Sequence, residues 1–122
     1  MSEKLKPWIW EKVRVIRILD ADTLVIEIEQ DIGFEERVIR TLKLRIRHYD
    51  APETWRPRND EERAHGKLAT QYANDLLIGR NIKVLTYKKG KYGRYEADII
   101  LESGHDFVET MKGAGFQKRE SY

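Results

Sequence analysis

Apolar and charged residues alternate over much of this chain, and the alternation breaks at residues that favour turns. Between Trp8 and Glu29, Val13, Val15 and Ile16 to Leu19 are β-branched or aliphatic, and Leu24, Ile26 and Ile28 alternate with Val25, Glu27 and Glu29. Such runs predict two half-buried strands. The joint between them, Leu19-Asp20-Ala21-Asp22-Thr23, predicts a tight hairpin whose aspartates can bond their own backbone. That is the expected duty of Asp20. Asp22 stands where the second strand begins and can aim its carboxylate off the sheet. Asp31-Ile32-Gly33 predicts the next hairpin turn, and Val38 to Arg47 a third strand. In such an antiparallel meander the second strand begins where the third ends, so Asp22 and Asp50 are expected to be neighbours.

The third strand ends in Leu44-Arg45-Ile46-Arg47, with both arginines on one face, and runs into His48-Tyr49-Asp50-Ala51-Pro52-Glu53-Thr54. Ala51 precedes proline and is biased toward extended backbone, so Asp50 and Glu53 are presented on a stiff turn. A guanidinium and two carboxylates at a strand end suit charge-stabilising chemistry on an anion such as phosphate. Taken by itself, the stretch reads as readily as a surface ion pair followed by an ordinary turn.

Trp55 to Glu62 has no period and predicts a surface loop, with Arg56 and Arg58 solvated or touching phosphate. From Glu61 to Ile78 the pattern is helical: Leu68, Ala69, Tyr72, Ala73 and Leu76 fall three and four apart, and Gly79 ends the run. His65 is expected at the surface or as a cap, since no second histidine lies at metal spacing. Asn81 to Tyr87 predicts a fourth strand. Lys88-Lys89-Gly90-Lys91-Tyr92-Gly93-Arg94 is a glycine-punctuated turn in which Tyr92 offers a stacking surface beside phosphate donors. Tyr95 to Leu101 predicts a fifth strand. Asp106 caps a short second helix with Phe107, Val108 and Met111 inward, and Gly113-Ala114-Gly115 closes it.

With 122 residues the chain is expected to be a single domain, 1–122. A net charge of only +2 and a pI near 8.8 mean that any attraction to nucleic acid must be local. No cysteine is present, which excludes a disulfide framework and a thiolate metal site. No apolar run approaches the roughly 18 residues of a membrane span, and the first residues lack a secretory leader. The expected location is therefore cytoplasmic, or secreted if a leader has been removed.

Five strands around a helix are consistent with a small OB-type Greek-key barrel of α+β, mainly β class, with two short helices. Asp20-Ala21-Asp22-Thr23, Leu44-Arg45, Asp50-Ala51-Pro52-Glu53-Thr54, Lys91-Tyr92-Gly93-Arg94 and Gly115 together resemble the staphylococcal nuclease (thermonuclease) family, in order and at near-family spacing. The likeness covers residues 12–118 and implies a calcium-dependent phosphodiesterase. Such an enzyme acts on DNA and RNA, preferably single-stranded, as a monomer, and leaves a 3'-phosphate and a 5'-hydroxyl. By the same resemblance Asp22, Asp50 and the Ala51 carbonyl hold Ca2+, Glu53 orients or deprotonates water, and Arg45 and Arg94 grip the phosphoryl oxygens. Lys91 and Tyr92 then contact a flanking phosphate. A non-catalytic OB-fold module that binds nucleic acid is the alternative. Two departures stand out. Ala21 replaces a usual glycine, and the family's last helix, with the aromatic that covers the nucleotide, is expected to be missing; Tyr122 falls one place from that aromatic.

Overall fold

The computed structural model describes residues 7–90 and 93–122. In chain order these form β1 (Trp8–Trp10), β2 (Val13–Asp20), β3 (Thr23–Gly33), β4 (Glu36–Ile46), α1 (Asp60–Leu77), β5 (Lys83–Lys89), β6 (Tyr95–Ile100) and α2 (Phe107–Gly113). The α+β, mainly β class is as expected. The sheet has six strands in the order β1-β5-β6-β4-β3-β2, one more than the five expected, because the first predicted strand is broken at Glu11–Lys12. Its first part pairs with β5, Trp8 opposite Thr86, and its second part with β3, Val13 opposite Ile28. One straight strand cannot serve both ends of a rolled sheet. The hydrogen-bonded ladder is consequently not closed as a barrel; its two edge strands are joined through the chain at Lys12, whose carbonyl accepts from Glu29 N–H at 3.3 Å.

Alternation sets the faces as read from the sequence. Leu24, Ile26 and Ile28 of β3 and Leu42, Leu44 and Ile46 of β4 are buried, while Lys43 and Arg45 turn outward between them. Val84, Ala97, Ile99, Phe107 and Met111 complete the core from the other half of the sheet and α2. Each such Leu, Ile or Phe contributes about 1.5 to 3 kcal/mol by leaving water.

One turn differs from expectation and a second resolves the departure at Ala21. The β3–β4 hairpin turns at Phe34 and Glu35, beyond Asp31-Ile32-Gly33, and both residues have positive φ, 54° and 61°. Asp31 Oδ1 instead accepts from Gly33 N–H at a bulge. Ala21 is fully buried and absent from the positive-φ residues, so the turn before Asp22 forms without the left-handed backbone that glycine would favour.

Helix α1 is 18 residues long, not short, and starts as its sequence dictates: the Asn59 side chain accepts from Glu62 N–H. It passes directly beneath the Pro52–Thr54 segment. A Cβ on Gly66 would come within 2.9 Å of the Pro52 and Glu53 carbonyl oxygens, so only glycine lets the helix approach this closely.

Candidate active site

The antiparallel register brings the predicted acidic pair together. Thr23 lies opposite Arg45, and Ile46 N–H donates to the Asp22 carbonyl at 2.8 Å, so the start of β3 meets the end of β4. Asp22 Oδ2 accepts from Ala51 N–H at 2.8 Å, which fastens the turn after β4 to the turn before β3. Between the carboxylates stands Arg45, whose Nη2 is 2.8 Å from Asp50 Oδ1 and 3.7 Å from Asp22 Oδ2. Asp22 is nearly enclosed, its side chain 14% exposed, whereas that of Asp50 is 77% exposed. Burial raises the Asp22 carboxyl above its ordinary range, against the opposing pull of the Ala51 N–H and the Arg45 guanidinium. Asp20 does not bond its own turn: its Oδ1 accepts from Thr54 N–H at 3.0 Å and from Thr54 Oγ1 at 2.7 Å.

Arg94 reaches the site through the only parallel pairing among the described strands. Leu44 lies opposite Tyr95 and Arg45 opposite Glu96, so the residue leading into β6 comes alongside the outward face of β4. Arg94 lines one cleft with Arg45, Lys88, Lys89, Gly90 and Glu96. It also lines a second cleft, of about 680 Å³, with Asp20, Lys43, Glu53, Trp55 and Arg56. Arg47, expected on the same face as Arg45, is held by Asp98 at 3.4 Å and lies 3.9 Å over the Tyr87 ring. Lys91 and Tyr92 lie outside the described residues.

Glu53 is half-exposed, and Lys118 Nζ is 3.5 Å from its Oε1. The same ammonium is 3.7 Å from Oε2 of the fully buried Glu62, and Lys118 N–H donates to the Asp50 carbonyl at 2.8 Å. Burial pushes the Glu62 carboxyl up, but the Arg58 backbone N–H, the Arg58 guanidinium and Lys118 outweigh it and hold the group below its ordinary value. The segment around Lys118 is itself anchored: Tyr49 OH donates to the Phe116 carbonyl, and Arg58 donates to the carbonyls of Arg119 and Glu120.

His65 is buried, in contrast to the surface position expected, because it meets the Gly115 carbonyl at 2.9 Å and the Tyr122 hydroxyl at 2.6 Å. Tyr122 thus faces the start of α1.

Lys118, Glu62 and Gly66 carry no mark in the hydrophobic pattern. Asn59 followed three residues later by Glu62 is a helix-start signature, and an isolated glycine within a helical run signals close packing. Lys118 sits in an aperiodic tail and offers no local signal.

Among the described residues no group of three or more His, Cys, Asp or Glu side chains is placed to hold a metal ion. The donor set here is smaller: two carboxylates converging on a single cationic centre, with the Ala51 backbone beside them. All are oxygen donors, which suits a hard divalent cation that keeps several waters.

The fold is thus a mainly β domain in which an acidic pair brackets Arg45, and Arg45 and Arg94 line one cleft, an arrangement able to hold an anion. The chain belongs to the staphylococcal nuclease homologue family, which it matches over residues 43–121. It is also 34% identical over 106 residues to a protein of Bacillus subtilis (strain 168) named endonuclease YhcR, covering 80% of this chain and 8% of that one. A protein of Escherichia coli O157:H7 named as an uncharacterized endonuclease is 24% identical over 102 residues, covering 84% of this chain and 56% of the other. The chain thus spans little more than half the length of one relative and a small part of the other.

Proposed function

We propose that this chain is a calcium-dependent nuclease that hydrolyses phosphodiester bonds in DNA and RNA with little sequence preference. The observation that carries the reading is that Arg94 shares one cleft with Arg45 and the adjoining one with Glu53. A phosphodiester against Arg94 therefore meets a second guanidinium on one side and a carboxylate on the other.

Arg45 and Arg94 hold the phosphoryl oxygens and stabilise the charge that collects there as water attacks. Arg45 is fixed for this by the Ile46 and Tyr49 carbonyls, at 2.8 and 2.6 Å, so its planar fork is oriented before substrate arrives. Glu53 orients the water and takes its proton while the new P–O bond forms. The bond to the 5'-oxygen breaks and that oxygen takes a proton from solvent, which leaves a 3'-phosphate and a 5'-hydroxyl. Asp22, Asp50 and the Ala51 carbonyl would hold Ca2+, which would supply positive charge where the carboxylates otherwise repel the substrate. Lys88 and Lys89 extend the cationic surface along the strand.

Incubating the chain with end-labelled single-stranded DNA, with calcium or with excess chelator, tests the reading. Calcium-dependent fragments ending in 3'-phosphate are expected. Binding without cleavage would favour the non-catalytic module.

A further inference from the structure

We infer that Trp55 is a stacking platform for an unpaired nucleobase next to the phosphodiester that Arg94 and Glu53 address; the inference rests on the nucleic-acid reading above. Of the three tryptophans, Trp10 donates its indole N–H to Thr86 Oγ1 at 3.0 Å, and Trp8 lies against Trp10 with ring centroids 5.9 Å apart. Trp55 is different. It is 80% exposed, and among the described residues nothing stacks on its ring or bonds its indole nitrogen.

Its backbone is nevertheless held from two sides. Thr54, immediately before it, donates twice to Asp20, and the Pro52–Thr54 segment rests on α1 at Gly66. The indole is thus exposed on an anchored segment, at the rim of the cleft that contains Lys43, Arg56 and Arg94. Glu53 is paired with Lys118, so the single carboxylate of Asp20 is outnumbered there by Lys43 and Arg56, which make no ion pair among the described residues. Phosphate donors around an open aromatic face are what a flexible polynucleotide uses: the cations follow its backbone and the ring takes a base without reading its identity. In a paired duplex both faces of an internal base are already stacked, so the platform serves unpaired bases.

The test is a titration in calcium with phosphorothioate-linked oligothymidylate, read by indole fluorescence, alongside steady-state cleavage of the phosphodiester oligomer. Saturable quenching is expected in the wild-type chain and not in Trp55→Ala. In Trp55→Ala, KM for oligothymidylate should rise roughly tenfold, the scale of one lost base–aromatic stack, with kcat within about twofold. Trp55→Phe should recover most of that loss. On an oligomer that is abasic beside the cleavable bond, wild type and Trp55→Ala should have the same KM. Undiminished quenching in Trp55→Ala, or an unchanged KM in that variant, overturns the subsite and leaves the nuclease reading standing. Saturable Trp55-dependent quenching without any cleavage overturns the nuclease reading and upholds the subsite.

Discussion

Arg45 is tied to Asp50 across the turn that separates them: Nη2 is 2.8 Å from Asp50 Oδ1, while Nη1 donates to the Ile46 and Tyr49 carbonyls. The guanidinium therefore orders the loop as well as facing the cleft. Lysine keeps the charge but cannot make these forked contacts. Arg45→Lys should lower turnover by about 10³-fold, the scale of phosphate-stabilising arginines. Lys88→Ala should mainly weaken DNA binding and flatten its salt dependence. Equal losses in both variants, confined to binding, would make Arg45 a simple anchor.

Glu53→Gln removes the proton acceptor with almost no change in shape. Turnover is expected to fall by about 10² to 10⁴-fold, with calcium and DNA affinity held within a few-fold. Single-turnover cleavage and equilibrium binding on the same preparation decide the matter. Full activity in the Gln variant removes Glu53 from the role of base.

On the proposed function Asp22, Asp50 and Glu53 face the bound phosphate, so calcium and DNA should each tighten the other's binding by the same factor. With few protein donors the calcium affinity should be weak, toward the millimolar end of known sites. Calcium titrated against both cleavage and DNA binding checks this. Identical DNA affinity with and without calcium contradicts it.

Gly66→Ala tests the contact beneath the site. The added methyl meets carbonyl oxygens at 2.9 Å, and neither backbone can yield easily. Overpacking of this kind costs about 1 to 3 kcal/mol and should lower the melting temperature by several degrees. Displacing Glu53 should also lower kcat more than it raises KM. A variant with unchanged stability and unchanged kcat would show that the helix does not support the loop.

Glu62 gives the stability a pH dependence whose sign follows from its lowered pKa. The unfolded chain takes up the proton first as pH falls, so the stabilisation is complete above the unfolded value of 4.5 and is lost as pH drops through the folded value. Asp22, raised by burial, has the opposite slope: its folded form keeps the proton longer, and stability falls as pH rises past 3.8. Thermal melts of Glu62→Gln from neutral pH into acid should begin lower than wild type and decline less steeply. A parallel curve would assign the acid sensitivity elsewhere.

Period-two alternation made the β3–β4 faces legible, and antiparallel register alone made Asp22 and Asp50 neighbours. Both are local properties of a hairpin. The pairing of Trp8 with Thr86 and of Arg45 with Glu96 is set by packing between distant strands, which no short window of sequence contains. Arg94 was accordingly readable as a phosphate donor in its turn, but its place beside Arg45 only through the resemblance of its motif. Phe34 and Glu35 hid the β3–β4 tip because neither is a usual residue for positive φ. Buried His65 and the ties of Lys118 escaped for the same reason as the long pairings: their partners are far along the chain.

The parallel pairing of β4 with β6 also leads us to expect an order of events in folding. β2, β3 and β4 can zip together through short hairpins, which puts Asp22, Arg45 and Asp50 in place early. Arg94 can join them only after the chain through α1 and β5 has folded back, a slower search over a long loop. A refolding chain should therefore acquire its acidic pair before its second arginine, and cleavage should reappear later than the signal of the early hairpins.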